Sequence, residues 1–324
     1  MEDKQEMTLE KYHFQVRNQH RMRGAVLLET DEGPLLLREQ KKVTGHFALE
    51  NEIKELLRSK GMRNLDFVVP NREGKLVTEW ETGEKYVVYR WFHGEECDYR
   101  SPKDLFVMAE NLGKLHRYLC GYYEEPVTLE EPLLLQYERH NREMKRVYTY
   151  MKGKKRKTDF ERYAIERFGL FYGRAQKAQK QLEESSYYRD HGRKTRDLCH
   201  GEYNYHNLLM TSEGMATTNF EHVVPGVQLM DLAYFMRKTM EKNRWQAEKG
   251  RTIWEGYTGE MNCGESEREF LVTVLSYPIK YWKLLNQYMN GKKTWISNKS
   301  MEKLKAVCEQ EDSKEKFLQK MLTF

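Results

Sequence analysis

Polar side chains that can do acid–base and metal chemistry are concentrated in residues 198–238. They are His200, Glu202, Asn207, Glu221 and Asp231. Two short apolar runs with a turn at 212–214 between them predict a strand–turn–strand, whose second strand covers 216–220 and leads directly into the second glutamate. A carboxylate, an amide and a second carboxylate placed close together can serve as the general base and the magnesium ligands of a phosphoryl-transfer site. The stretch therefore predicts phosphoryl transfer.

Two other chemistries fit these residues less well. The set His200, Glu202 and His206 contains metal-ligating side chains, but it lacks the helical His spacing of zinc peptidases. Cys199 and His200 are neighbours in sequence, whereas a cysteine nucleophile and its histidine base are recognised by their proximity in space.

The motifs of this stretch resemble those of a known superfamily. His200-Gly201-Glu202, with Asn207 five residues after the glutamate, resembles the H-G-D-x-x-x-x-N catalytic loop of aminoglycoside phosphotransferases and related small-molecule kinases. Phe220-Glu221 resembles the I-D of that superfamily, and Asp231-Leu232-Ala233 its D-L-A. The segments HGEYNYHNLL and TNFE are most similar to the CotS-type spore-coat branch.

The resemblance implies a role for each of these residues. Glu202 would be the catalytic carboxylate, and Asn207 and Glu221 would bind the metal. His200 and Asp231 would position the loop through hydrogen bonds, and Asp231 could also cap the helix predicted to begin near it. ATP and Mg²⁺ are the cofactors that such a site implies.

Both carboxylate positions nevertheless depart from the superfamily pattern, because Glu202 and Glu221 stand where it has aspartate. The extra methylene moves a carboxylate by about a bond length, and a misplacement of ~1 Å can cost ~100-fold in rate. Magnesium is also strict about its ligand geometry, since it requires a near-ideal octahedron. The two changes predict reduced or lost phosphotransfer activity.

A hairpin is predicted upstream, with strands at 24–30 and 34–38. The resemblance implies a kinase-like lobe in which a cation at the end of the third strand binds nucleotide phosphates. Arg38 occupies that position. The alternative is that Arg38 is an ordinary arginine at a strand end with no ligand role. Apolar residues at 47, 49, 53, 56 and 57 predict a helix over 46–59. This helix would supply the glutamate that pairs with the cation, with Glu52 as the first candidate and Glu50 as the alternative.

The remaining patterns predict the overall architecture. Further strands are expected at 65–70, 76–79 and 85–91, followed by helices at 102–118 and 160–182 and a helical region from 232 to 324. With the resemblance, these predict an α+β, two-lobed protein-kinase-like fold. Residues 1–92 would form a small antiparallel sheet with one helix, and residues 93–324 a larger, mainly helical lobe that contains the catalytic-like loop 198–238.

Composition limits the class and location of the protein. The chain has 324 residues, of which 39% are hydrophobic and 32% charged, so a soluble, globular protein is expected. Its five cysteines form no C-x-x-C pair, which fits a reducing compartment. With no apolar signal segment and no membrane-spanning stretch, the sequence predicts cytoplasmic synthesis. Location in the spore coat is implied by the resemblance.

A basic block covers residues 142–157, where eight residues are basic and one is acidic. Such a block is most often a solvated loop or helix end. As a docking patch it would bind other spore-coat proteins or an anionic surface, and nucleic acid is not favoured because no nucleic-acid-binding motif accompanies the block.

Two functions remain open at this point. The first is a spore-coat-associated protein of the CotS type with a kinase-like fold and a degenerate site. The alternative is an active ATP-dependent phosphotransferase of the aminoglycoside or choline kinase type, acting on a small hydroxyl or amine substrate.

Overall fold

The computed structural model describes residues 2–22, 24–40, 45–291 and 298–324. Its first elements, in chain order, are α1 (Glu2–Leu9), β1 (Val16–Met22), β2 (Ala25–Thr30), β3 (Gly33–Glu39), α2 (Gly45–Ser59), β4 (Val68–Val69), β5 (Thr78–Glu79), β6 (Lys85–Arg90) and β7 (Glu95–Glu96). There follow α3 (Pro102–Leu119), β8 (Val127–Thr128), α4 (Leu133–Gly153), α5 (Asp159–Glu184), α6 (Ser186–His191), β9 (Lys194–Thr195), β10 (Leu198–Cys199), β11 (Leu208–Thr211), β12 (Gly214–Thr217) and β13 (Val224–Pro225). The last elements are α7 (Leu229–Lys242), α8 (Ala247–Thr258), α9 (Glu265–Ser276), α10 (Ile279–Asn290), α11 (Asn298–Glu309) and α12 (Glu311–Met321).

The predicted α+β fold class is confirmed. The chain forms two compact units, which we name the sheet unit (Met1–Asp98 with His200–Val224) and the helical unit (Tyr99–Cys199 with Pro225–Phe324). The sheet unit extends beyond the boundary predicted near residue 92 and includes residues 200–224 of the catalytic-like loop. The reason is strand pairing, because β7 continues the hairpin of β11 and β12 through the pairs Leu209–Glu96 and Met210–Glu95.

An antiparallel sheet of order β1-β2-β3-β6-β4, with β5 also on β6, is the core of the sheet unit. Successive residues of a strand point to opposite faces. On β3, Leu35 and Leu37 pack in one apolar cluster, whereas Leu36 packs in another with Val87 and Tyr89. Both faces of β3 are therefore covered, which explains why its apolar run is continuous rather than alternating.

Helix α2 covers the second of these faces, where Phe47 packs against the Leu36 cluster. Its bounds agree with the helix predicted over 46–59. Alternation along β3 places Arg38 on the same face as Leu36, and Arg38 is the register partner of Val87. The strand-three cation thus lies on the face of the sheet that α2 covers. The helix α1, which the sequence analysis did not predict, precedes the sheet.

The helical unit is built from paired amphipathic helices, among them α3 with α8 and α4 with α5. Ser101 caps α3 by accepting a hydrogen bond from the backbone of Asp104. Helix α5 begins with a capping box between Thr158 and Glu161. The helices predicted at 102–118, at 160–182 and beyond residue 232 are confirmed, except that residues 292–297 lie outside the described part of the chain.

Candidate functional site

Near the start of the catalytic-like loop, Gly201 is in the left-handed conformation at φ +80°. A Cβ atom here would lie 2.0 Å from the backbone oxygen of His222, so a side chain does not fit. His200 is fully buried, and its ring connects the loop to the following hairpin. Its Nε2 lies 3.1 Å from the backbone oxygen of Thr218, and its Nδ1 accepts a hydrogen bond from the backbone of Glu202 at 3.3 Å. These contacts are those of a residue that braces the loop.

Asn207 stands at the end of a 3₁₀ turn, and its side chain closes the loop. Its Nδ2 donates to the backbone oxygen of Glu202 at 2.8 Å, and its own backbone oxygen accepts from Thr218. These bonds hold Glu202 and Asn207 in one local structure, as the sequence predicts for a base and a metal ligand on the same loop. Glu202 is partly exposed, and its Oε2 lies 3.3 Å from the amide nitrogen of Asn219.

The strand predicted over 216–220 ends at Thr217, because Asn219 adopts the left-handed conformation at φ 66° and interrupts the extended chain. A short 3₁₀ turn over Phe220–His222 follows and presents Glu221. Phe220 is fully buried and anchors this turn, whereas the glutamate after it is partly exposed.

A guanidinium and an imidazole lie beside the two glutamates. Oε2 of Glu221 lies 3.6 Å from a guanidinium nitrogen of Arg38, which also donates to the side-chain oxygen of Asn219 at 3.1 Å. Nε2 of His222 lies 3.3 Å from Oε2 of Glu202 and 3.6 Å from Oε1 of Glu221. The site residues Arg38, Glu202 and Glu221, which are far apart in sequence, thus form one cluster.

The pairing predicted between Arg38 and Glu52 is replaced by a different arrangement. Glu52 lies on the exposed side of α2, whereas Glu50, the alternative, is buried. Glu50 pairs with Lys54 on the same helix, at 2.6 Å between its Oε1 and Nζ. Side chains four residues apart lie on the same helix face, so α2 supplies both members of this ion pair. Arg38 instead lies beside Glu221.

Sequence reasoning missed a buried charge cluster, which we name the Lys54 triad: Glu50, Lys54 and Asp66. The Lys54 Nζ donates to Glu50 Oε1 and, at 2.7 Å, to the backbone oxygen of Asp66. It also lies 2.8 Å from Asp66 Oδ1 as an ion pair, and the side chain of Lys54 is only 1% exposed. The signal was a lysine within the apolar stripe of α2, next to Ile53 and three residues before Leu57.

The Lys54 triad is connected directly to the glutamate cluster. Asp66 Oδ2 accepts a hydrogen bond from the backbone nitrogen of Asn219 at 2.8 Å, and the Lys54 Nζ lies 5.6 Å from the ring centre of Phe220. Burial raises the pKa of Glu50, an effect that the nearby Lys54 opposes. Burial also raises the pKa of Tyr89, whose ring faces the same lysine. The triad therefore positions the turn that presents Glu221.

Magnesium is the metal that the superfamily implies for this arrangement. Glu221 and Asn207 supply oxygen atoms of the kind magnesium prefers. In this structure, however, the charge of Glu221 is directed at Arg38 and His222. Within residues 2–22, 24–40, 45–291 and 298–324, no group of three or more His, Cys, Asp or Glu side chains could hold a metal ion. A magnesium ion bound by Glu221 and Asn207 would therefore compete with Arg38 for the carboxylate of Glu221.

Asp231, the remaining predicted site residue, belongs to the helical unit and is buried in the first turn of α7. Its Oδ2 lies 3.3 Å from Nε2 of His116, whose Nδ1 is in turn 2.9 Å from the hydroxyl of Tyr257. Gln228 donates to the backbone oxygen of His116. Within its unit, Asp231 is thus part of a buried network that connects α7 with α3 and α8.

Comparison with solved structures shows the same fold. An aminoglycoside phosphotransferase from Alicyclobacillus acidocaldarius subsp. acidocaldarius is 14% identical, with a TM-score of 0.85 over 97% of this chain and 93% of that one. A microcompartment-associated aminopropanol kinase is 16% identical, with a TM-score of 0.63 over 99% and 98%. An amicoumacin kinase, solved in complex with AMP-PNP and Ca²⁺, is 11% identical, with a TM-score of 0.62 over 97% and 93%. At these identities the likeness shows the kinase-like fold alone.

The sequence comparisons identify the family. No curated protein matches the chain. Among the described residues, no helix is both long and apolar enough to span a membrane. The model of the family described as "Spore coat putative kinase YutH" matches residues 5–321, which confirms the predicted resemblance. The chain therefore belongs to this spore-coat family of the kinase-like superfamily.

Proposed function

We propose that this protein is a component of the spore coat in which the kinase-like site is degenerate. One observation carries the second part of the proposal: Glu221, at the position of the metal-binding carboxylate, is within 3.6 Å of both Arg38 and His222. The guanidinium of Arg38 offsets part of the charge of Glu221, and the ring of His222 occupies space beside the same carboxylate. Magnesium would have to displace them before it could bind.

The remaining geometry supports the same conclusion. Glu202, in the position of the catalytic carboxylate, shares His222 with Glu221 and accepts from Asn219. A general base needs a carboxylate free to accept a proton from the attacking group. Arg38, which would bind nucleotide phosphates in an active kinase, contacts Asn219 and Glu221 instead. Each functional group of the site has a partner within the protein.

Nucleotide binding tests this assignment. We expect calorimetric titration with AMP-PNP to show weak binding by the wild-type protein, with less than about a twofold change on addition of Mg²⁺. In Arg38→Met, Glu221 loses its guanidinium partner, so we expect Mg²⁺ to strengthen AMP-PNP binding by about tenfold, which corresponds to ~1.4 kcal/mol. The methionine retains most of the length of the arginine stem.

The control is Arg90→Met, which removes an exposed cation at the end of β6 in the same sheet. It should behave as the wild-type protein does. The proposal is wrong if the wild-type protein binds AMP-PNP tightly and only with Mg²⁺, and if Arg38→Met abolishes that binding. Such a result would assign Arg38 to the phosphates.

That result would favour the second candidate, an active ATP-dependent phosphotransferase acting on a small hydroxyl or amine compound. Its support is the close local structure of Glu202 and Asn207, which resembles the base and metal ligand of the superfamily loop. The solved amicoumacin kinase and spectinomycin phosphotransferase contain AMP-PNP and ADP, respectively. ATP and Mg²⁺ would then be the cofactors of this chain as well.

For the coat, we propose that the basic block at 142–157 is the docking surface for an anionic coat component. The block lies on the last turns of α4 and the connection to α5. Lys154 is structural, because it pairs with the buried carboxylate of Glu161 at 2.5 Å. Tyr148 stacks on Phe168 at 3.9 Å, so its ring already has a packing partner. The exposed basic side chains of the block are therefore the groups available for docking.

A charge-neutral variant tests this surface. We expect a fluorescent fusion of the wild-type protein to concentrate at the surface of the developing spore. Replacing the exposed Lys145, Arg146, Lys155 and Arg156 with glutamine should reduce that signal at least about fivefold, because several weak charge contacts act together in such docking. Fluorescence microscopy of sporulating cells measures both.

The matched control replaces four exposed cations outside the block with glutamine: Lys177, Lys180, Arg189 and Lys194. It lowers the net charge equally and should leave the spore signal unchanged. Equal loss in both variants would show that only net charge matters. A wild-type fusion spread evenly through the cell would contradict the coat assignment itself.

A further inference from the structure

The helical unit contains a pocket whose described lining residues all belong to that unit. Its volume is about 350 Å³, and it lies among α4, α7, the end of α9 and α10. Its wall is rich in rings, contributed by Tyr137, His140, Tyr234, Tyr277 and Trp282. A pocket of this size with an aromatic wall is suited to a small organic ligand.

The rings of this wall are held by stacking and hydrogen bonds. Tyr137 stacks on Tyr277 with 3.8 Å between ring centres, and His140 stacks on Trp282 at 3.5 Å. The indole nitrogen of Trp282 donates to Glu143 at 2.7 Å, which fixes the orientation of that ring. Flat walls that are already fixed favour a planar ligand, because neither the pocket side chains nor the ligand lose much conformational entropy on binding.

The charged side chains that line the pocket have one sign. Arg139, Arg237 and Lys283 line it, and no carboxylate is found among its described lining residues. The two arginines each pair with a glutamate outside the wall, Glu131 and Glu241. Partial burial, followed by the charges of Arg237 and Lys238, lowers the pKa of Lys283. A lysine crowded by cations in this way favours an anion beside it.

His140 adds a hydrogen-bond donor. It is 4% exposed, and its Nε2 lies 3.4 Å from a guanidinium nitrogen of Arg139. A guanidinium can only donate, so Nε2 is the acceptor. Burial, together with the charge of Arg139, lowers the pKa of His140 to about 4, so the ring is neutral at pH 7 and has its proton on Nδ1. This buried Nδ1 has no hydrogen-bond partner in the described part of the chain.

We propose that this pocket binds a small planar aromatic anion. The ring of the ligand packs against the aromatic wall, and its acidic group lies beside Lys283, with the Nδ1–H of His140 as a donor. The ligand supplies the negative charge that the wall lacks and the acceptor that His140 lacks. The proposal does not depend on nucleotide binding, since none of the pocket residues belongs to the sheet unit.

The test uses two probes with the same ring and different charge, 2-naphthoate and the neutral 2-naphthamide. Calorimetry should show that the wild-type protein binds the naphthoate about tenfold more tightly than the amide, the change expected for one charge-assisted contact. Lys283→Gln should remove most of this difference by weakening naphthoate binding alone. Trp282→Leu should weaken both probes.

Lys180→Gln is the control, since it removes an exposed cation of α5 that does not line the pocket. It should leave both affinities unchanged. Circular dichroism would verify that every variant is folded. Equal affinities of the two probes, or a Lys283→Gln protein that still prefers the naphthoate tenfold, would overturn the proposal, as would the absence of any binding to the wild-type protein.

Discussion

Replacing Lys54 with methionine is expected to lower the free energy of unfolding by about 3–5 kcal/mol, the cost of removing one partner from a buried ion pair. Lys54 uses its Nζ for Glu50, for the Asp66 carboxylate and for the Asp66 backbone, all within 2.8 Å. Without it, two buried carboxylates face each other. Urea denaturation followed by circular dichroism measures the change.

The loss should also depend on pH. Burial already raises the pKa of Glu50 above its usual range, and loss of the lysine raises it further. A raised pKa in the folded state means that stability is lost as pH increases through that pKa, because ionising the buried group becomes necessary. The destabilisation by Lys54→Met should therefore be smaller at mildly acidic pH than at pH 8.

Two further variants show whether charge is the cause. Arg58→Met removes an exposed cation from the same helix, where it pairs with Glu55 at the surface, and should cost less than about 0.5 kcal/mol. In the triple variant Glu50→Gln, Lys54→Met, Asp66→Asn, no buried charge remains, so much of the lost stability should return. If Lys54→Met costs no more than Arg58→Met, the Lys54 triad has no structural role.

The double variant Glu202→Asp, Glu221→Asp is expected to raise magnesium-dependent ATP hydrolysis by about 100-fold over the wild-type rate, the factor associated with ~1 Å of misplacement. Shorter side chains would withdraw the carboxylates from His222 and Arg38, which now lie at 3.3–3.6 Å. They would also restore the aspartates of the superfamily pattern. Release of phosphate from ATP is the measurement, and it needs no knowledge of a second substrate.

Glu213→Asp is the control, because it makes the same chemical change in the exposed turn between β11 and β12. It should leave the rate at the wild-type level. A wild-type rate that falls in the double variant would show that glutamate is the functional residue at these positions. The site would then be adapted rather than degenerate.

Much of the architecture was predictable because it depends on local patterns. The hairpin of β2 and β3 was readable from two apolar runs around an acidic Gly turn, and α2 from its apolar stripe. The loop with His200, Glu202 and Asn207 was recognisable because its spacing resembles that of a superfamily. The extent of the sheet unit could not be predicted, since the pairing of β7 with β11 joins segments more than a hundred residues apart.

The choice of charged partners was also beyond the sequence. Glu50 and Glu52 are the same residue type on the same helix, so the sequence does not distinguish them. Packing of the helix against the sheet buries Glu50 and leaves Glu52 exposed. Arg38 was predicted to pair with a glutamate of α2. In the structure Lys54 pairs with that helix's Glu50, and Arg38 lies beside Glu221. The cost of burying a charge depends on its surroundings, which a local pattern does not contain.

The sequence by itself thus determined the fold class, the family and the order of the candidate site residues, because hydrophobic periodicity and motif spacing are local properties. Only the tertiary structure decided that His222 and Arg38 lie beside the two glutamates, and that His140, Trp282 and Lys283 line one pocket. Contacts between residues distant in the chain arise when apolar surfaces pack, and packing alone sets which polar groups are then brought together.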